Sequence, residues 1–438
     1  MIKLLERDRV KRAPLMVGRV VLTVGSRFAL TALSLVSSII TARVLGEQGR
    51  GNYFFMVTLS GTIVQFANLG LPASAFFYTA RDRRTGPGFV ANALWVSVIV
   101  GGGLGVGLAV IAQRAGMLQD TPVTFLLLAA ALAVPSIFFM IVANVIAGME
   151  RFVAFNLVES GSRALAVAAI VAAGVASAGA DGFVVAAILA WSVAAIVSAG
   201  AAMRGMRLRI RFDRSLFAIG FRYSTKIYVI ALFGFIVLRS NVFLLRREFG
   251  PAEVGLYSIA AQMADVLLIV PNAIAFVLFP RLVRATHSRW QSTCRAGVTT
   301  AVSMTLICGA TALLAGPIIR VLYGPEFAPA ATVLRLMLPG IAFLGVGGVF
   351  SAYLTSQRVP RYLVVIWLAA ALLAIGISVA LVPSHAGAGA ATALSATYGA
   401  LLLALFVAAV RERARTEDVT DEVSALIADS GELPPGSE

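Results

Sequence analysis

Charged side chains are scarce in this sequence. Only 13% of its 438 residues are Asp, Glu, Lys or Arg, while 59% are hydrophobic. Soluble chains are nearer a quarter charged, so a water-soluble fold of this length could not solvate its surface. Lipid accepts apolar side chains at no cost, and an all-α polytopic membrane protein is expected. Cysteine and histidine are scarcer still: Cys294, Cys308, His287 and His385 are the full set. No pair of them has metal-ligand or disulfide-framework spacing. Metal catalysis and Cys–His catalysis are therefore poor expectations, and neither a metal nor another cofactor is expected. The chain also lacks a Walker motif, a nucleophile elbow and a paired acidic motif. That argues against an enzyme, against an ATP-driven pump on this chain, and against a membrane glycosyltransferase with a soluble catalytic domain. No cleavable signal peptide is expected, because Met1 to Arg19 is too charged and the first apolar run is too long.

What is present is a series of long apolar runs. With about 20 mostly apolar residues per crossing, twelve spans are expected. Spans 1 to 6 fall at 22–43, 52–79, 89–111, 123–147, 157–178 and 183–203. Spans 7 to 12 fall at 224–245, 254–280, 297–318, 331–355, 361–382 and 388–410. The formal net charge of +15 would suit a nucleic-acid binder, but the basic residues sit in short loops between apolar runs. Nucleic acid is thus not an expected partner. If the N-terminus is cytoplasmic, 26 of the 36 basic residues collect on the cytoplasmic side and 7 on the other. That bias places both termini inside a bacterial-type cell (inner) membrane. The basic segment Met1–Arg19 is expected either to rest on anionic lipid or to be a frayed basic terminus.

The chain repeats itself. Gly46, Gly51 and Tyr53 meet Gly250, Gly255 and Tyr257 at an offset of 204 residues. At the same offset Asn68 meets Asn272, and Pro135, Ile137 and Phe139 meet Pro339, Ile341 and Phe343. After a shift of three residues Arg151 meets Arg358. Two related six-span lobes follow, at 1–203 and 224–410, joined by a basic cytoplasmic linker at 204–223 and followed by a polar cytoplasmic tail at 411–438. Six spans per repeat start both lobes on the same side, so a pseudo-twofold axis along the membrane normal relates them, with substrate handled between. Gly46/Gly250 and Gly51/Gly255 are expected in tight turns, where positive φ or close packing is required.

Ionisable residues inside spans are costly and are functional candidates by default. Arg27 lies in span 1; Glu159 and Arg163 lie four apart on span 5, where they can also neutralise each other. Lys226 sits near the inner mouth of span 7, with Arg239 and Asn241 further along it, and Asp265 lies in span 8. Arg239 stands out because no carboxylate lies three or four residues away. Asn68 and Asn272 are expected to face the central gap or else to cap helices. Pro135 and Pro339 are expected to kink spans 4 and 10. Arg43, Arg246 and Arg247, near span ends, are expected to snorkel.

The stretches Ala42-Arg43-Val44-Leu45-Gly46 through Ala67-Asn68-Leu69-Gly70-Leu71, and Gly250 through Gly255-Leu256-Tyr257-Ser258 to Phe279-Pro280-Arg281, resemble polysaccharide flippases of the Wzx type. Leu322-Tyr323-Gly324-Pro325-Glu326-Phe327 through Tyr353-Leu354 resembles a third block of that family, in the superfamily of multidrug, oligosaccharidyl-lipid and polysaccharide exporters. The resemblance implies a V-shaped, basic cavity between two six-helix lobes. It also implies alternating access and transfer of a polyprenyl-pyrophosphate-linked oligosaccharide to the outer leaflet. The implied partners are that lipid-linked glycan, membrane lipids, and glycosyltransferases or a polymerase. Two rival readings stay open: a cation-coupled small-molecule exporter, and a non-transporting scaffold for glycan-assembly enzymes. The chain departs from the family where Asp is common, at Asn68 and Asn241, which speaks against a carboxylate cation site there.

Overall fold

A computed structural model describes residues 2–114, 121–207, 210–284, 288–357 and 359–430; within these, side chains are described from residue 32 to residue 415, apart from 112 and 113. The described residues form helices and short turns, without a strand. Eight helices are long and apolar enough to cross a membrane, and a ninth crossing is a pair, Ala32–Ala67 and Leu71–Arg81, bent by 52°.

Three of these nine units are hairpins. Helix Ile2–Ala67 is interrupted at Gly46 (φ 63°). An unbroken helix would separate Ser38 from Arg50 by about 18 Å, yet the Arg50 guanidinium bonds Ser38 at 3.1 Å. Helix Arg214–Leu267 is interrupted at Gly250 (φ 77°), and Arg239 meets Asp265 at 3.3 Å across the turn. Helix Arg361–Ser430 is interrupted at Ala386 (φ 47°), and the Tyr362 hydroxyl reaches Glu412 at 3.3 Å. Doubling back once in each unit yields twelve helical legs, in register with the twelve expected spans. The left-handed φ at Gly46 and again at Gly250 extends the 204-residue repeat from sequence to backbone conformation. Pro251, at the first position of the returning helix, has no amide hydrogen to leave unsatisfied there.

The two lobes meet at a seam beside these hairpins. A Cβ on Gly51 would lie 1.7 Å from the Pro251 carbonyl oxygen, and one on Gly255 would lie 2.2 Å from the Glu47 carbonyl oxygen. Adding 204 to 51 and 47 gives 255 and 251, so this is one contact made twice, as a twofold axis between the lobes requires. Three arginines cross the same seam. Arg43 donates to the Leu322 carbonyl at 2.7 Å and to the Val321 carbonyl, at the end of the helix Arg289–Leu322. Arg246 donates to Asn52 Oδ1 at 2.7 Å and Thr121 Oγ1 at 3.3 Å. Arg50 donates to Ser258 Oγ at 3.1 Å. Of the three residues expected to snorkel, Arg43 and Arg247 are exposed and Arg246 is instead buried.

Spans 2 and 7 run antiparallel and touch along their length. Asn52 meets Arg246, Phe55 meets Phe243 edge-on at 5.8 Å, and the Tyr228 hydroxyl donates to the Phe66 carbonyl at 2.8 Å. At the end away from the seam, Phe77 stacks on Tyr223 at 4.3 Å. The segment between the lobes is pinned there. Asn92 exchanges two hydrogen bonds with the Asp213 backbone, at 3.0 and 2.8 Å, and Trp95 Nε1 donates to the Ile210 carbonyl at 2.6 Å. Asp213 caps the next helix, accepting from the Leu216 amide, so that helix starts at Arg214, inside the stretch expected as linker. Arg83 pairs with Glu150 at 3.5 Å and Arg151 donates to the Ala201 and Arg204 carbonyls. These basic loops therefore share one end of the bundle.

Candidate functional site

A cavity of about 400 Å³ lies between the lobes, below the seam. Span 1 contributes Leu33, Ser34, Ser37 and Ser38, and span 2 contributes Arg50, Tyr53, Phe54, Val57, Thr58 and Gly61. Spans 5 and 6 add Arg163, Ala166, Val167 and Trp191; spans 7 and 8 add Phe235, Arg239, Gln262 and Asp265. Gly61 faces the Phe235 ring across the cavity, where a Cβ would meet it at an ordinary contact distance of 3.6 Å. Among the described lining residues the charges are three guanidiniums and one carboxylate. The rest supplies hydroxyls, one carboxamide and four aromatic rings.

The structure thus brings Arg163, Arg239 and Asp265 together. Arg239 is not unpaired, as its own helix suggested, because its carboxylate arrives from span 8 after the Gly250 turn: Asp265 Oδ2 lies 3.3 Å away. Its guanidinium also sits 5.7 Å from the Phe54 ring centroid. Glu159 and Arg163 lie 3.7 Å apart on span 5. Arg163 stands over the Trp191 ring at 5.8 Å, which leaves the guanidinium facing the cavity with an aromatic plate behind it.

Other expected residues lie elsewhere. Asn68 is buried and folds back on its own helix, donating to the Val64 and Gln65 carbonyls and accepting from the Gly70 amide at 2.8 Å. It caps the bend between Ala67 and Leu71, where Leu69 and Gly70 both have positive φ. Its repeat mate Asn272 is exposed. Asn241 is buried and ties span 7 to the last hairpin, donating to the Ala390 carbonyl at 3.1 Å and accepting from Ser378. Lys226 is exposed and away from the cavity. Pro135 and Pro339 each lie inside one uninterrupted helix, Val123–Gly148 and Ala330–Thr355. The side chain of Arg27 lies outside the described residues, as do the tail's side chains beyond Arg415 and the whole of residues 431–438.

Arg50 is the residue that reading spans alone placed wrongly, in an outer loop. It is 2% exposed. Its three nitrogens reach Ser258 Oγ at 3.1 Å, Thr41 Oγ1, and Ser38 Oγ at 3.1 Å. No carboxylate pairs with it among the described residues. The repeat carries the signal for this burial: 204 residues on stands Val254, which is fully buried.

A family model described as "Polysaccharide biosynthesis protein" matches residues 19–286. No curated protein matches the sequence. Among solved structures, the lipid II flippase MurJ in an inward closed conformation is similar, with a TM-score of 0.70 and 14% identity over 89% of this chain and 87% of that one. A multidrug resistance transporter of the MATE family in an inward-facing conformation matches with a TM-score of 0.68 and 15% identity, over 89% of this chain and 96% of the other. The outward-facing form of a MATE transporter matches at 0.58 and 14%, over 91% and 94%. At such identities the likeness is one of fold. With the family model spanning well over half the sequence, the chain belongs to the polysaccharide biosynthesis protein family, and its fold is like that of these solved transporters.

Proposed function

We propose that this protein translocates a polyprenyl-pyrophosphate-linked oligosaccharide from the cytoplasmic to the outer leaflet by alternating access. The observation that carries this reading is the cavity's charge: among the described lining residues Arg50, Arg163 and Arg239 face Asp265, and with Glu159 beside Arg163 at 3.7 Å the guanidiniums still outnumber the carboxylates. A net positive, half-enclosed chamber suits an anionic pyrophosphate, since guanidiniums offer forked donors to phosphate oxygens. The ring faces of Tyr53, Phe54, Trp191 and Phe235, with hydroxyls and Gln262 between them, suit sugar rings. The prenyl tail stays in lipid. A cation exporter would need a carboxylate available in the cavity, and Asp265 is engaged by Arg239.

Orientation belongs to the same proposal. The basic loops share the end opposite the seam, so the cytoplasm lies on their side and the seam faces outward. Both termini are then cytoplasmic in a bacterial-type inner membrane. Glycosyltransferases that build the glycan and a polymerase that consumes it are the enzymes expected alongside. The test is a deletion strain: lipid-linked oligosaccharide should accumulate on the cytoplasmic face, and the intact gene should restore export. Normal surface glycan in that strain, with changed resistance to small cations, would overturn the reading.

A further inference from the structure

We propose that Arg50 is a positioning residue that couples the cavity to the seam: an anion in the cavity draws its guanidinium off Ser258 and so releases the outer closure. This rests on the flippase reading above. The geometry has three parts. First, Arg50 lines the cavity and crosses the seam at once, because it bonds Ser38 and Thr41 of one lobe and Ser258 of the other. Second, its acceptors are hydroxyls. A guanidinium has five N–H donors; three are directed at these oxygens, and the buried charge is met by dipoles instead of a carboxylate. A desolvated charge held this way gains strongly from an anion. Third, the far end of the chain of bonds is the seam itself. Ser258 Oγ accepts from Arg50 Nε and donates to the Gly255 carbonyl at 2.7 Å, and Gly255 is the residue packed on the Glu47 backbone.

An anionic oxygen entering beside Tyr53 and Phe54 therefore competes with neutral hydroxyls for the same donors, and it wins on charge. Among the described residues Arg50 has one interlobe bond to give up, to Ser258. Without an anion that bond favours the closed seam; with one, the closed state loses a charge-assisted hydrogen bond while the cargo is already in place. Opening then follows loading, which is the order a one-way export step requires.

The experiment uses the full chain in nanodiscs with Cys294→Ala, Cys308→Ala and a reporter, Val57→Cys, in the cavity. A bulky charged maleimide is applied, and the probe anion is farnesyl pyrophosphate. Ser258→Ala should raise reporter labelling without any probe by roughly ten-fold, the weight of one hydrogen bond to a charged group. Arg50→Lys keeps the charge but loses the planar fork and should do the same. Farnesyl pyrophosphate should raise labelling of the parent several-fold and leave Arg50→Lys and Ser258→Ala unmoved. Direct binding, read by Trp191 fluorescence, separates the failures. If the probe binds the parent but neither it nor Ser258→Ala changes labelling, the coupling is wrong and the flippase reading stands. If the probe does not bind the parent, the anionic-headgroup reading falls and the coupling falls with it.

Discussion

Gly51 packs so tightly on Pro251 that a Cβ there would lie 1.7 Å from the carbonyl oxygen. The closed seam thus depends on two hydrogens, one at Gly51 and one at Gly255. Gly51→Ala should disfavour closure by about 3 kcal/mol or more, since the obstacle is backbone and overpacking of even flexible neighbours costs 1–3. Insertion should be unaffected, because the apolar runs that cross the bilayer are unchanged. Labelling of the Val57→Cys reporter by the charged maleimide should be low in the parent and rise sharply with Gly51→Ala. Equal labelling in both would show that the seam tolerates the methyl group.

Arg239 and Asp265 pair at 3.3 Å across the cavity wall, closer than Arg163 and Glu159 at 3.7 Å. Arg239→Ala should abolish glycan export while leaving the protein in the membrane. Asp265→Ala should be milder, because it adds to the positive charge that the cargo meets. Both groups keep some exposure, so their coupling in a double-mutant cycle of stability should be on the order of 1 kcal/mol. Normal export by Arg239→Ala would remove it as a substrate contact.

Glu47 gives the seam a pH dependence. Partial burial, then the nearby Glu326 and Glu253, hold its carboxyl above the usual carboxylate range. A carboxyl whose pKa is raised in one state favours that state when protonated. The closed seam is therefore strengthened in acid and weakens as pH rises through the raised value. Labelling of the Val57→Cys reporter should increase as pH rises above the ordinary carboxylate range of about pH 4. Glu47→Gln should flatten that rise; an unchanged profile would assign it to another group.

Ala386 holds φ 47° and ψ −130° at the tip of the last hairpin. Alanine is strained there, whereas glycine reaches that region freely. The turn is held by Glu253 Oε1, which accepts from the Gly387 amide at 2.8 Å. Ala386→Gly should stabilise the protein by about 1 kcal/mol, read as a higher Tm in detergent. Glu253→Ala should lower it. A fall in Tm for Ala386→Gly would mean that strain at this tip is not limiting.

Much of this architecture could be read from residue order, and the reason is local. Crossing a bilayer takes a long apolar run whatever its neighbours, so spans are visible one at a time. A reversal between spans takes a residue that tolerates positive φ, so Gly46 and Gly250 are visible through the repeat. Partners across space are not. Asp265 is 26 residues from Arg239, and nothing in either helix alone pairs them. Asn68 and Asn272 occupy matching positions, yet one caps a bent helix and the other is exposed, because only the first lobe breaks its even span with two positive-φ residues. Arg50 was hidden by its nearness to a span end, where arginines ordinarily reach for water. Its apolar repeat mate, Val254, marks the position as interior.

The doubled seam contact also bears on descent. If half of this chain were a separate polypeptide, the same glycine-on-carbonyl contact would join two copies as a symmetric dimer. Every residue near the axis would then occur twice, and an arginine at the position of Arg50 would bring a second charge to that of Val254. Like charges buried side by side repel. Within one chain the two matching positions are free to differ, and here a single guanidinium stands on one side of the axis and valine on the other. The asymmetry that makes the chamber cationic near its roof is thus closed to a symmetric dimer of identical halves.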